Sequence, residues 1–239
     1  MRNKYFRKVT MLVAFAYMVC FLLQGCKHDE SEKKKAKEKV EQTAKPKGAT
    51  ICIDPGHGGV DPGKVGVNNA LEKDINLAIS ILLREKLQEL GYEVIMTREK
   101  DEGLYEEGEK RKKMADLKRR IAMIEEKKPD LVIGIHQNSF TQQSSKGAQV
   151  FYYKDSAQGA EFAATMQAQL KEELADGNNR EAKANNNYYM LVHTTAPMVI
   201  IECGFLSNPE EAEKLVTVEY QNQLADIIVH GVQKHFETN

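Results

Sequence analysis

Two histidines and two glutamates, His57, Glu72, His136 and Glu202, could carry chemistry in this chain. The run Ile51-Cys52-Ile53 ends in Asp54-Pro55-Gly56, so a strand stops at a tight turn, and His57 leaves that turn flanked by glycines that keep the space around its ring open. Glu72 opens an amphipathic stretch one loop later. His136 follows the apolar run Leu131 to Ile135, and Glu202 follows Met198 to Ile201. Three of the four thus stand where a buried strand gives way to a loop, the place where open α/β sheets gather ligands. Two neutral imidazoles and a carboxylate are a usual protein set for catalytic zinc, and a second carboxylate beside them suits a base for the attacking water.

Each residue also has an ordinary structural reading. These are a turn histidine, a first-turn acid satisfied by free amides, a hydrogen-bonded core histidine and a strand-end acid paired with Arg or Lys. Their company favours a site. Ile53-Asp54-Pro55-Gly56-His57-Gly58-Gly59 with Asp61 and Gly63 is followed by Leu71-Glu72-Lys73-Asp74 with Asn76-Leu77, then by Thr97-Arg98. Ile135-His136-Gln137-Asn138-Ser139 and Glu202-Cys203-Gly204-Phe205-Leu206-Ser207-Asn208-Pro209 complete the series. In this order, from about residue 49 to the C-terminus, these runs resemble the motifs of zinc-dependent N-acetylmuramoyl-L-alanine amidases of the amidase_3 type.

The resemblance implies that His57, Glu72 and His136 hold Zn2+ and that Glu202 is the catalytic acid-base. It implies hydrolysis of the amide between N-acetylmuramic acid and L-alanine of peptidoglycan. The Asn-Tyr-Tyr and His-Thr-Thr-Ala-Pro runs are similar to those of the germination-specific amidases, which strip stem peptides from spore cortex before muramic-δ-lactam forms. Two other readings stay open: a zinc peptidase or carboxypeptidase acting within the stem peptide, and a wall-binding or regulatory lipoprotein whose site has decayed. An activating partner protein is a further expectation.

Several residues depart from the family or lie beside its motifs. Gln137 stands where a smaller residue is usual and narrows the site; Glu125 replaces a common asparagine. Arg98 organises the sheet end, and Arg120 lies at the family's arginine spacing before the second histidine. His193 matches no family ligand and is expected at the substrate cleft or the surface, while His230 and His235 are expected in surface or packing roles and His28 lies in the tether.

The chain has 239 residues with 34 basic and 35 acidic, a balance with no field for nucleic acid. Arg2, Lys4, Arg7 and Lys8 precede the apolar run Val9 to Leu23, shorter than the roughly 20 residues of a full span, as in a secretory signal. Leu23-Gln24-Gly25-Cys26 resembles a lipobox, with an uncleaved signal anchor as the alternative. Residues 1–26 are therefore expected as signal and anchor, 27–47 as a charged disordered tether, and 48–239 as the catalytic domain, held at the outer face of the cytoplasmic membrane. With no repeat or second module, wall affinity is expected from the cleft and the tether. Of four cysteines, Cys52 and Cys203 sit beside site residues and read as buried thiols that pair only if their strands are adjacent.

To position the four site residues, the chain is expected to form one α/β domain with a mostly parallel, mixed sheet of about six strands flanked by helices. Strands are expected at 49–54, 92–97, 131–135, 147–153 and 198–203, with a short one at 188–192. Helices are expected at 71–90, 118–128, 157–174, 209–215 and 221–236, the first turning Leu77, Ile81, Leu82 and Leu87 inward.

Overall fold

The computed structural model describes residues 48–238. The expected signal and tether, with His28, Cys20 and Cys26, lie outside them. Six strands form a single sheet: β1 (Thr50–Pro55), β2 (Glu93–Met96), β3 (Leu131–Asn138), β4 (Gln149–Tyr152), β5 (Lys183–Ala184) and β6 (Met198–Phe205). Their order is β2-β1-β3-β6-β4-β5, and every pairing is parallel except β4 against β6. The mixed α/β sheet of six strands is the architecture expected from the sequence.

The continuous apolar runs of β1, β3 and β6 follow from burial on both faces. On one face Ile51, Ile53, Leu131, Ile133, Ile135, Val199, Ile201 and Cys203 pack against the long helices α1 (Glu72–Glu89), α3 (Ala157–Leu174) and α6 (Val218–Thr238). On the other, Cys52, Val132, Phe151, Met198 and Ile200 pack against α2 (Lys112–Lys127) and α4 (Tyr189–His193). The short helix α5 (Pro209–Leu215) follows β6, with Asn208 as its cap accepting from Glu210 N at 3.0 Å and Glu211 N at 3.1 Å. Among the described residues no helix is long and apolar enough to cross a membrane.

Three local expectations are corrected. In α1 the core-facing row is Ile75, Ile79, Leu83 and Leu87, while Leu77, Ile81 and Leu82 are only partly buried. Helix α2 begins well before residue 118, because its buried row starts with the charged pair Asp116 and Arg120 and not with apolar side chains. Residues 188–192 do not form a strand: α4 is a five-residue helix, fixed by burial of Met190 and Leu191. Cys52 and Cys203 are, as expected, free buried thiols: they lie on opposite faces of the sheet with β3 between their strands, so they do not pair.

Candidate active site

The turn after β1 carries His57 at φ 63°, the left-handed region that a non-glycine residue enters at a cost. Buried arginines hold it there. Arg120, 1% exposed, donates to Asp54 Oδ1 (2.8 Å), Pro55 O (2.7 Å) and His57 O (2.6 Å), and its Nε reaches Asp116 at 2.8 Å. Arg98 donates to Pro55 O and Gly56 O, both at 3.0 Å, and to Lys73 O at 2.9 Å, tying the turn to α1. Arg98 therefore organises the sheet end, as expected. Gly56 leaves the room that the second histidine needs: a Cβ there would come within 2.2 Å of the His136 ring.

Glu72, at the start of α1, receives both imidazoles. His57 Nε2 lies 3.1 Å and His136 Nδ1 3.0 Å from Glu72 Oε1. Backbone amides of Lys64 (2.8 Å, to Oε2) and Gln137 (3.2 Å, to Oε1) also donate to the carboxylate. Burial pushes the Glu72 carboxyl upward, but hydrogen bonds and charge from His136 and His57 outweigh it and hold the group well below the usual carboxylate range. On the far side of His57, Asp61 Oδ2 sits 2.9 Å from Nδ1 and fixes the ring. Asp61 is lowered to about 2, because hydrogen bonds from His57 and Lys113 overcome its partial burial.

Glu202 projects from β6 beside His136, its register partner on β3, and is 6% exposed. Its Oε1 accepts from the Tyr188 hydroxyl at 3.3 Å, while Oε2 has no hydrogen-bond partner among the described residues. Burial raises its carboxyl to about 7. All of these groups open into a cavity of about 530 Å³, whose walls combine Asn138, Ser139 and Lys113 with the apolar Leu117, Met190 and Ile200.

The structure thus brings all four sequence-selected residues to one cavity. Donor atoms of His57, Glu72 and His136 lie within 4.8 Å of one another, and two imidazoles with one carboxylate are a donor set that suits zinc. His136 lies within its strand and not beyond it, while Glu202 lies within its strand as expected: β3 and β6 continue to Asn138 and Phe205, with a register shift after His136. Gln137 is buried, with its amide donating to Asn76 Oδ1 at 3.2 Å. Asn76 in turn reaches Glu72 Oε1 at 3.4 Å, so Gln137 also supports the carboxylate. Glu125 accepts from Thr195 N at 2.7 Å. His193 stands apart from the donor group, its ring 4.2 Å from that of Tyr189. His230 pairs with Glu173 at 2.8 Å, and His235 packs against Phe162 and Phe236.

Sequence reasoning missed Tyr188 as the partner of Glu202, and nothing in the spacing of the two residues signals the contact. It also missed what Arg120 grips, although the pair Asp116 and Arg120, four residues apart on the inner row of α2, was a usable sign.

Comparison with known proteins agrees with this geometry. Residues 51–234 match the Amidase_3 family, described as N-acetylmuramoyl-L-alanine amidase. The germination-specific N-acetylmuramoyl-L-alanine amidase of Bacillus subtilis is 41% identical over 192 residues, covering 79% of this chain and 80% of the relative. The CwlD amidase of Clostridioides difficile, solved in complex with the GerS lipoprotein, superposes with a TM-score of 0.78 at 40% identity, over 80% of this chain and 100% of that one. A structure of an N-acetylmuramoyl-L-alanine amidase from Clostridium difficile 630 gives a TM-score of 0.71 at 30% identity, covering 80% of this chain and 98% of its own. The ordered motifs, the six-stranded sheet and these likenesses agree: the chain belongs to the Amidase_3 family of N-acetylmuramoyl-L-alanine amidases.

Proposed function

We propose that His57, Glu72 and His136 hold a zinc ion and that Glu202 moves the proton in hydrolysis of the muramoyl-L-alanine amide of peptidoglycan. The family membership fixes the enzyme class, a peptidoglycan-cleaving amidase. The observation that carries the site assignment is the convergence of both imidazoles on Glu72 Oε1, beside a buried Glu202 oxygen that has no hydrogen-bond partner among the described residues.

When bound, zinc supplies Lewis acidity, lowering the pKa of water toward about 7 and polarising a carbonyl. The chain's own residues do the rest. Asp61 and the amides of Lys64 and Gln137 hold the ligand set in place. Glu202 Oε2 takes a proton from the attacking water and returns it to the leaving nitrogen, a role suited to a carboxyl that burial has raised toward neutrality. The apolar wall of Leu117, Met190 and Ile200 limits bulk water around the reacting amide.

Spore cortex is the proposed substrate, because the Bacillus subtilis relative at 41% identity is named germination-specific. A partner protein is proposed as well, since the CwlD structure contains the GerS lipoprotein. Residues 1–26 are proposed as an export signal with Cys26 lipidated, and 27–47 as the tether that holds the domain outside the membrane. Mass spectrometry of peptidoglycan digested by the zinc-loaded chain tests the reaction. Free muramoyl ends with intact stem peptides are the expected products, and release of terminal D-alanine alone would assign a peptidase instead.

A further inference from the structure

We propose that Tyr188 is the positioning residue of the Glu202 carboxylate, holding Oε1 so that Oε2 stays directed at the reacting groups. The inference rests on the reading of Glu202 as the proton carrier and adds a residue that acts through it.

The need for such a residue follows from the neighbours of Glu202. It stands in register with His136, and Glu72 with both imidazoles lies just beyond. A carboxylate free to rotate would be drawn toward the imidazoles, where it would crowd the ligand set and leave no oxygen for proton transfer. Within the described residues the Tyr188 hydroxyl, at 3.3 Å from Oε1, is the one hydrogen-bond partner of the Glu202 side chain, and Oε2 has none. One oxygen is held and the other is free.

The hydroxyl is itself held in place. The Tyr188 ring packs on Phe151 at 5.4 Å with the planes at 59°, and its backbone N donates to Asn185 Oδ1 at 3.0 Å. Asn185 is anchored through its own N to Tyr152 O at 2.8 Å. Phe151 and Tyr152 belong to β4, which runs antiparallel to β6 with Gln149 opposite Glu202 and Phe151 opposite Ile200. A single ladder therefore places both the carboxylate and the platform for the hydroxyl that grips it. If Tyr188 acted only as an aromatic packing residue, its hydroxyl would be dispensable.

The test measures kcat, KM, zinc per chain and melting temperature for the zinc-loaded full-length protein. The substrate is the soluble disaccharide-peptide released from peptidoglycan by a muramidase. Tyr188→Phe keeps the ring on Phe151 and removes the hydroxyl. It should lower kcat by about 10-fold to 100-fold, the weight of one hydrogen bond to a charged group, with KM, zinc content and melting temperature unchanged. Tyr188→Leu, which also removes the ring, should show the same loss of kcat with a lower melting temperature. Wild-type kcat in Tyr188→Phe with loss only in Tyr188→Leu would overturn the proposal and leave packing as the role. A loss of kcat accompanied by loss of zinc would also overturn it. Glu202→Gln, measured in parallel, separates the two levels: if it is inactive while Tyr188→Phe is unaffected, only the Tyr188 proposal falls. If Glu202→Gln is fully active, the reading of Glu202 falls and takes this one with it.

Discussion

His136 and Glu202 are direct register partners across the parallel β3–β6 ladder. Parallel neighbours lie about 4.8 Å apart, so the ladder alone places a proposed zinc ligand and the proposed proton carrier side by side. A slip of one residue would turn one of the two side chains to the opposite face of the sheet. Glu72 arrives separately, from the first turn of α1, and meets them over the end of β3.

Glu202→Gln separates holding the metal from moving the proton. The amide keeps the volume of the carboxyl but cannot accept a proton, so zinc content should stay at wild type while turnover falls by about 100-fold or more. Metal analysis and muropeptide turnover on one preparation check this. Near-normal turnover would remove Glu202 from the mechanism.

Asp61→Asn tests whether the outer contact on His57 matters to the ion. Asp61 lies 2.9 Å from His57 Nδ1, and such orienting carboxylates typically contribute 10-fold to 100-fold in affinity. Competition with a chromophoric chelator should show zinc binding weakened by about that factor, whereas Glu72→Ala should weaken it more. Unchanged affinity in both variants would contradict the ligand set.

Arg120→Met should destabilise the fold by about 3–5 kcal/mol, read from urea unfolding, because Asp54 and Asp116 would lose their buried partner. The acid limb of stability should change as well. Burial raises the Asp54 carboxyl, but Arg120, with a hydrogen bond from Thr97, outweighs it and lowers the group in the folded state. A depressed folded-state value contributes stability fully above the unfolded value of about 3.9, lost as pH falls through the folded value. The wild type should therefore lose stability below about pH 4 more steeply than Arg120→Met.

Cys52 and Cys203 should resist alkylation in the native protein. Burial, first, and the charges of Asp54 and Glu202 push the two thiols up to about 12, so neither forms the reactive thiolate near neutrality. Peptide mapping after iodoacetamide treatment should find both unmodified until denaturant is added. Labelling of either in the native state would contradict their burial.

The parts of this fold that were legible in the sequence are those where one physical signal dominates. Leu131 to Ile135 and Met198 to Ile201 are apolar without interruption because both faces of their strands are covered, and they carried His136 and Glu202 with them. The end of β3 was hidden, because its ladder continues through the polar His136, Gln137 and Asn138, which line the cavity. The start of α2 was hidden for a related reason: its inner row contains Asp116 and Arg120, whose burial depends on partners as distant in sequence as Asp54. Residues 188–192, aromatic and apolar, have the composition of a strand, and tertiary packing of Met190 and Leu191 makes them a helix instead. The contact from Tyr188 to Glu202 exists only once β4 has paired with β6, so no local pattern announces it.

Anomalous diffraction at the zinc edge, on crystals of the zinc-loaded protein, tests the central assignment most directly. The expected result is one ion bounded by His57, Glu72 and His136, with Glu202 beside it and not among its ligands. An ion seated elsewhere, or none bound at these three side chains, would contradict the account.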